Sequence, residues 1–451
     1  MKAHPISARL CVAVGLFLLS LQWIPAAQQM LIIGDSLSKE YEYEWAGIGG
    51  DAGVTPVMNW AEILDDKRHA NFDFGTSATF NDLRLIGHHY NWSVPGSFAD
   101  DWWSTYLTAG SPAKYAYGIP ELENQVSNEA ERIVIFLGGN EVRSQYGNLY
   151  DGILSPTTFA NALFDDLEDI VNWVMARKRS TAEVVLVNIP HLGACPAKND
   201  PHPYNATKTG RVTSALVNVN NRLVTLAQSK GIGLADVYSP MLSLVTASYL
   251  CIGTVPIYRY PPHSDGNSRY AFLGDGLHPN MPIQALFAQR ILDAFNAKYN
   301  HSYARLTNQE ILTSLLGLSP TQIFDDWVIS KNVPAGSRGL LDDGDRDGVK
   351  NMLEFALDLN PTKPDSGLLP QPEMFVQNGQ TYVGMTARLR IQECRLISLT
   401  VEQSNSLQTW TAVPANTIFQ NPDGTTSVRI ARAPNSPPLF LRIRANLIPP
   451  D

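Results

Sequence analysis

The first 300 residues alternate between short apolar runs and longer amphipathic stretches. The stretch 157–180 has apolar residues at helical spacing (Phe164, Leu167, Ile170, Val171 and Val174), as one face of a buried helix does. Strands are predicted at 30–36, 133–137, 182–190 and 232–239, and further helices at 213–231 and 282–299. Apolar strands that alternate with amphipathic helices predict a parallel sheet with helices on both faces. We therefore expect an α/β domain over residues 28–305.

The pattern changes towards the C-terminus. Residues 306–364 read as a connector, with one short helix pattern and then an acidic loop. From residue 365 to 451, apolar and polar positions alternate with a period of two, and turn sequences separate the runs. The runs lie at 381–391, 396–404, 426–433 and 439–447. This pattern predicts a small antiparallel, sandwich-like all-β domain.

The N-terminus has the composition of a signal peptide. Lys2 and Arg9 precede an apolar run that ends at Ala27, so residues 1–27 predict secretion or export to a periplasm. A membrane anchor is the alternative, although the run is shorter than a spanning helix needs. Loss of the two cations takes the formal charge from −9 to −11. We expect neither nucleic-acid binding nor stable membrane insertion for so acidic a chain; the oligomeric state stays open.

Three cysteines remain after the leader, which carries Cys11. Export favours oxidation, so a Cys195–Cys251 bridge is expected, with Cys394 left over. The alternative is three unpaired thiols.

Three residue types point to nucleophilic catalysis. Ser36 follows the first apolar strand, and Asp275 lies three residues before His278 in a glycine-containing turn. This spacing lets the carboxylate bind one imidazole nitrogen and leaves the other for a serine, as in a Ser-His-Asp triad. Asn140 follows two glycines at a strand end and could direct its amide N–H at a developing negative oxygen.

Four short segments carry a resemblance to a known family. They are GDSLS at 34–38, NWSVPG at 91–96, GGNE at 138–141 and DGLHP at 275–279. Their order and positions resemble the SGNH, or GDSL, hydrolase family over roughly residues 29–300. The resemblance implies a three-layer α/β/α fold that acts on esters, from lipids to acetylated sugars. The third segment departs from the family pattern, because Glu141 stands where aspartate is usual. This position carries no catalytic or oxyanion role in the family.

The resemblance also implies site roles. Ser36 is the expected nucleophile, His278 the general base and Asp275 its orienting acid. The oxyanion hole would use the backbone N–H of Ser36, that of Gly96 and the side chain of Asn140. Gly75 is the alternative to Gly96, since it also follows a possible strand.

The function that we expect is hydrolysis of carboxylic esters by a secreted serine esterase, with no cofactor in the chemistry. A carbohydrate acetyl esterase is the alternative, so the substrate is a small ester or an acylated carbohydrate. A non-catalytic surface or binding protein is the competing class, disfavoured because every expected catalytic residue is present.

A second motif lies in the connector. Residues 343–354, DGDRDGVKNMLE, fit the D-x-D-x-D-G-x5-E calcium loop. Carboxylate and carbonyl oxygens are the ligands that Ca²⁺ prefers. The predicted ligands of a structural Ca²⁺ are Asp343, Asp345, Asp347, the Val349 carbonyl, Asn351 (directly or through water) and Glu354. No helix pattern precedes the loop, which excludes a paired-helix calcium sensor. The loop and the β domain resemble modules of large secreted bacterial proteins.

Overall fold

A computed structural model describes residues 27–44, 57–263 and 267–450. The predicted signal peptide lies outside these ranges except for its last residue. Within the described ranges, no helix has both the length and the apolar character that crossing a bilayer requires.

Strands and helices alternate up to Tyr299, and strands dominate after Glu373. The strands are β1 Gln28–Gly34, β2 Phe72–Asp73, β3 Ser77–Thr79, β4 Ile86–His88, β5 Arg132–Phe136, β6 Glu183–Val187, β7 Gly233–Ala235, β8 Tyr249–Ile252, β9 Val255–Tyr258, β10 Glu373–Gln377, β11 Gln380–Arg388, β12 Ile397–Ser404, β13 Thr411–Ala412, β14 Ile418–Gln420, β15 Thr425–Arg432 and β16 Phe440–Leu447. The helices are α1 Tyr41–Glu44, α2 Trp60–Arg68, α3 Ala113–Ala116, α4 Ile119–Asn124, α5 Gly139–Asp151, α6 Pro156–Arg177, α7 Pro196–Asn199, α8 Ala206–Lys230, α9 Tyr238–Ser243, α10 Met281–Tyr299, α11 Asn308–Glu310, α12 Gln322–Ser330 and α13 Asn351–Leu357.

A five-stranded parallel sheet, in the order β2-β1-β5-β6-β7, organises the first domain. The chain passes from β1 to β2 on one side and later returns to β5 on the other side of β1. Such a reversal opens a crevice at the carboxyl ends of the two central strands. The α/β class predicted from the alternating pattern is confirmed, and the crevice lies after β1 and β5.

Helices cover the sheet in two groups. All five residues of β5 are buried, and since successive side chains of a strand point to opposite faces, both faces are covered. Helix α2 packs against α10, whereas α8 packs against α5 and α6. Helix α8 begins before the predicted range because Asn205 caps it by accepting from the N–H groups of Thr207 and Lys208.

The C-terminal domain consists of two antiparallel sheets, β10-β11-β15-β14 and β13-β12-β16. Val383, Met385 and Val428 of the first sheet pack with Leu441 of the second in one small core. The predicted all-β domain is confirmed.

The connector packs on both neighbours. Leu306, Ile311 and Leu312 are buried in the same apolar cluster as the α/β domain. Further along, Phe324 of α12 and Phe355 of α13 share a second cluster with the C-terminal domain. The domain boundary near residue 305 stays a prediction. A fragment that ends there would lack these connector residues and would expose the apolar surface that they cover on the α/β domain.

The cysteine pairing differs from the expected one. Cys251 of β8 is bonded to Cys394, while Cys195 is buried and free. The expected Cys195–Cys251 bridge is therefore wrong. Cys195 lies inside the α/β domain, where its thiol donates to the Leu277 carbonyl at 3.5 Å. Cys251 instead faces outwards, towards the C-terminal domain.

Candidate active site

Ser36 stands two residues beyond β1, at the crevice of the sheet. Its side chain is partly exposed, whereas the flanking Asp35 and Leu37 are buried. The Ser36 Oγ lies 2.9 Å from Nε2 of His278, although the two residues are 242 positions apart. The fold thus brings together the serine and the histidine that the sequence pointed to.

Asp275 completes a chain of three side chains. Its Oδ2 lies 2.5 Å from Nδ1 of His278, and its Oδ1 accepts from the N–H groups of Leu277 and His278 at 2.9 and 3.0 Å. Burial by itself would raise the pKa of Asp275. The bond to His278, together with the backbone donors, outweighs burial and holds that pKa below its usual range. The carboxyl is therefore ionised and fixed in orientation.

The turn that carries His278 is held from two sides. The Leu273 N–H donates to the His278 carbonyl at 3.0 Å. Tyr41 donates its hydroxyl to the Pro279 carbonyl at 3.0 Å, and its ring meets the imidazole edge-on, with the ring centres 6.3 Å apart. These contacts fix the imidazole next to Ser36.

Gly96 comes shortly after residues 90–94, which run alongside β1, and it does not line the cleft beside Ser36. The Trp92 N–H donates to the Ile32 carbonyl and the Val94 N–H to the Gly34 carbonyl. Gly96 has a φ of +77°, which favours glycine. Within the described ranges, the N–H groups of Ser36 and Gly96 have no hydrogen-bond acceptor. Two unsatisfied donors are what a developing oxyanion requires.

Gly75, the alternative to Gly96, lies in tight packing. A Cβ at this position would approach the Cβ of His89 to 2.6 Å, and the Gly75 N–H is taken by Asp73. These contacts disfavour Gly75 as an oxyanion donor.

Asn140 is the second residue of α5, directly after β5. Gly138 makes the connecting turn with a φ of +104°, and a Cβ there would lie 2.4 Å from Ile189. The Asn140 amide Nδ2 donates to the Ser97 carbonyl at 2.9 Å and lies 3.5 Å from Oδ2 of Asp35. The amide is thereby held between the loop after β1 and the loop that carries Gly96.

Two buried carboxyls support the site and were given no role from the sequence. Asp35 accepts from the Leu37 N–H, and burial raises its pKa to about 6 against the opposing effects of that bond and of His278. Glu141 accepts from the Ala99 N–H and so ties α5 to the loop of Gly96. Burial raises the pKa of Glu141 to about 7. The departure of Glu141 from the family pattern was the only signal of this contact.

The cleft beside Ser36 is small. Its empty space is about 280 Å³, open to solvent, and Leu37, Leu192 and Leu277 supply its apolar lining. Arg143 lies on the rim, and its guanidinium forms no ion pair or hydrogen bond with the described residues. The pKa of Lys198 in α7 is lowered, first by burial and then by the charge of Arg143. Lys198 therefore lies close to Arg143.

The acidic loop of the connector is a separate site. Each of Asp343, Asp345 and Asp347 offers a carboxylate oxygen, and these oxygens lie within 4.8 Å of one another. Asn351 and Glu354 are fully buried nearby, with oxygen atoms that have no partner, and Val349 is buried as well. This donor set fits a cation that prefers oxygen ligands.

Comparison with known proteins supports the reading of the first domain. The family model described as GDSL-like lipase/acylhydrolase matches residues 30–291, more than half of the chain. No curated protein matches the chain in sequence.

Several solved structures are similar at low sequence identity. An extracellular lipase from Streptomyces rimosus is 14% identical, with a TM-score of 0.37, over 59% of this chain and 100% of the lipase. A proposed SGNH hydrolase from Slackia heliotrinireducens is 13% identical, with a TM-score of 0.33, over 60% of this chain and 99% of its own. A proposed acylhydrolase from Bacteroides fragilis is 12% identical, with a TM-score of 0.31, over 61% of this chain and 91% of its own.

The family match spans the parallel sheet, the serine at its crevice and the turn with the histidine. The chain belongs to the GDSL-like lipase/acylhydrolase family and is an ester-hydrolysing serine hydrolase.

Proposed function

We propose that the protein hydrolyses carboxylic esters through an acyl-serine intermediate, with Ser36 as nucleophile and His278 as general base. The observation that carries this proposal is the hydrogen-bonded chain from Asp275 through His278 to Ser36, with distances of 2.5 and 2.9 Å. Asp275 would hold Nδ1–H, so that Nε2 is free to accept the serine proton.

The steps follow from these positions. As the Ser36 Oγ attacks the ester carbonyl, its proton passes to Nε2 of His278. The carbonyl oxygen becomes negative and receives the N–H groups of Ser36 and Gly96 and the amide of Asn140. The tetrahedral intermediate then collapses, and His278 returns the proton to the departing alcohol. A water molecule, deprotonated by His278, releases the acid from the acyl-serine by the same route in reverse.

Labelling by a fluorophosphonate tests the nucleophile. The wild-type protein should be labelled at Ser36, and Ser36→Ala should be neither labelled nor active. Ser93→Ala is the matched control, because this buried serine also lies near the end of β1 and its Oγ has no partner. Labelling of Ser36→Ala at the wild-type rate would refute the assignment.

Deacetylation of a carbohydrate is the second candidate within this chemistry. The apolar lining of the cleft comes from Leu37, Leu192 and Leu277, and so short an apolar surface suits a short acyl group. Rates on p-nitrophenyl esters from acetate to decanoate, and on acetylated sugars, test this candidate. A kcat/KM that rises with acyl chain length would refute the preference for short acyl groups.

The basic residues at the rim of the cleft favour a substrate whose alcohol portion carries a carboxylate. Arg143 lines the cleft beside Ser36, and Lys198 lies close enough to Arg143 for the two charges to interact. An acetylated uronic acid would offer a carboxylate to these cations. Arg143→Gln should lower kcat/KM for an acetylated uronic acid and leave the neutral sugar ester unaffected. Equal loss on both substrates would remove this preference.

We also propose that the protein is exported. Residues 1–27 have the composition of a signal peptide, and a disulfide such as Cys251–Cys394 persists in oxidising compartments. Fractionation of the producing cells, with alkylation of free thiols, tests this. Full-length protein in the cytosol, with the thiols of Cys251 and Cys394 both free, would contradict export.

A further inference from the structure

Five buried oxygen atoms without a hydrogen-bond partner lie in and just after the acidic loop of the connector. They are Oδ2 of Asp345, Oδ1 of Asn351, both carboxylate oxygens of Glu354, and Oδ1 of Asp365. Buried polar atoms are nearly always paired, so a group of unpaired acceptors calls for a missing partner. Asp365 lies outside the calcium-loop motif, eleven residues after Glu354.

The side chains of this group converge. The Asp347 N–H donates to Oδ1 of both Asp343 and Asp345 at 3.2 Å, which turns the two carboxylates towards each other. The charges of four aspartates, at positions 343, 345, 347 and 365, all act on the fully buried Glu354 carboxyl. Glu354, on the helix α13, therefore lies close to these four carboxylates, and both of its oxygens are buried without a partner in the described part of the chain.

Asp365 is held in the same cluster by three hydrogen bonds. Its N–H and that of Ser366 donate to Oδ2 of Asp347 at 2.8 and 2.6 Å. Its Oδ2 accepts from the Asn360 N–H at 2.8 Å, which leaves Oδ1 unpartnered.

Five carboxylates belong to this group, those of Asp343, Asp345, Asp347, Glu354 and Asp365. No basic side chain of the described residues forms an ion pair with any of them. Asn351 contributes only its oxygen, because its Nδ2 donates to the carbonyls of Ser337 and Gly339. A set of oxygen donors with excess negative charge matches Ca²⁺. It offers none of the nitrogen or sulfur ligands that Zn²⁺ prefers.

We infer that a Ca²⁺ ion binds among Asp343, Asp345, Asp347 and Glu354, and that Asp365 closes the site from outside the loop. The ion would then join two separate stretches of chain rather than order one loop. Helix α13 carries Phe355, which packs on Phe324 and Trp327 and shares a cluster with Ile397 of β12. Calcium would therefore fix the junction between the connector and the C-terminal domain. The inference does not depend on the proposed esterase chemistry.

Calorimetric titration of the EDTA-treated full-length protein with CaCl2 tests the site. The wild type should bind one Ca²⁺, and Asp365→Asn should weaken the binding at least tenfold. Asp423→Asn is the matched control, because it removes the same charge from an exposed turn of the C-terminal domain and should bind as the wild type does.

Thermal unfolding gives a second readout that a purely structural role of Asp365 would not produce. Without calcium, Asp365→Asn should melt at or above the wild-type temperature, because one of the repelling charges is gone and the amide oxygen can still accept from the Asn360 N–H. With calcium, it should melt below the wild type. Absence of calcium binding to the wild type at millimolar concentration, or equal affinity of Asp365→Asn and wild type, would overturn the inference, as would a variant that melts lower in both conditions by the same amount.

Discussion

Replacement of Asn140 by alanine tests the oxyanion assignment most directly. The wild-type amide has one N–H on the Ser97 carbonyl at 2.9 Å. Its other N–H has only a long contact, 3.5 Å from Nδ2 to Oδ2 of Asp35, which it can give up for an oxyanion. Loss of a side-chain donor to an oxyanion costs about 2.7–4 kcal/mol of barrier, a factor of about 10²–10³ in kcat. Because the interaction forms in the transition state, KM should change little.

The same variant should also lose stability. The buried Ser97 carbonyl would lose its partner, which costs about 1–3 kcal/mol in the free energy of unfolding. Urea unfolding measures this loss, and p-nitrophenyl acetate kinetics measure kcat and KM separately. The two effects have different origins and can therefore be separated by a control.

Asn188→Ala is that control. Asn140 and Asn188 are both 6% exposed, and both follow a strand of the same sheet. Asn188 accepts from the N–H groups of Val237 and Tyr238 and donates to Asp236, so its loss should destabilise the fold at least as much. Its kcat should stay within about twofold of wild type. If Asn140→Ala keeps wild-type kcat, or if both variants lose kcat equally, the oxyanion role of Asn140 is wrong.

Three further predictions concern the base, a buried carboxyl and the disulfide. His278→Ala should lower kcat by about 10⁴-fold or more, since triad members act as a unit; steady-state kinetics check this, and residual activity within tenfold of wild type would exclude the role. The pKa of Glu141, about 7 against an ordinary 4.5, means that the folded protein binds more protons between these pH values, so this carboxyl costs stability as pH rises from 4.5 to 7. Glu141→Gln should remove that cost, which is at most about 3 kcal/mol. Urea unfolding should find the variant more stable than the wild type at pH 8 but not at pH 4. If the free energy of unfolding depends on pH in the same way for both proteins, the raised pKa of Glu141 is wrong. Replacing Cys251 and Cys394 together by serine should lower the free energy of unfolding by roughly 2–5 kcal/mol, because the bond joins residues 143 positions apart. Turnover of p-nitrophenyl acetate should stay unchanged, and a variant as stable as the wild type would show that the bond does not stabilise the fold.

The sequence predicted those features that local patterns encode. The apolar run of β1, the amphipathic helix α6 and the alternating strands β11, β12, β15 and β16 were all recognisable, because burial imposes periods of 3.6 and 2 on the chain. The catalytic turn was recognisable too, since Asp275 and His278 are only three residues apart and their contact is nearly local.

Other features depend on contacts between distant residues and left little trace in the sequence. The pairing of Cys251 with Cys394 depends on which surface of the α/β domain faces the C-terminal domain, and cysteine spacing does not report this. The contact of Glu141 with the Ala99 N–H and the approach of Asp365 to the calcium loop have the same character. In each case the partner lies on a separate element, and only the packed fold brings the two together.

The disulfide also determines how the protein would respond to a pulling force. Tension applied between residue 28 and residue 450 would run along the chain to Cys251, cross the sulfur–sulfur bond to Cys394 and continue into β12. The 142 residues between the two cysteines (394 − 251 − 1), roughly 480 Å of extended chain, would then carry no tension along their covalent backbone. His278 and the acidic loop both lie in this bypassed stretch. If the enzyme is held to a surface by its C-terminal domain, the backbone of its general base and of its connector is therefore not stretched while the bond stays closed.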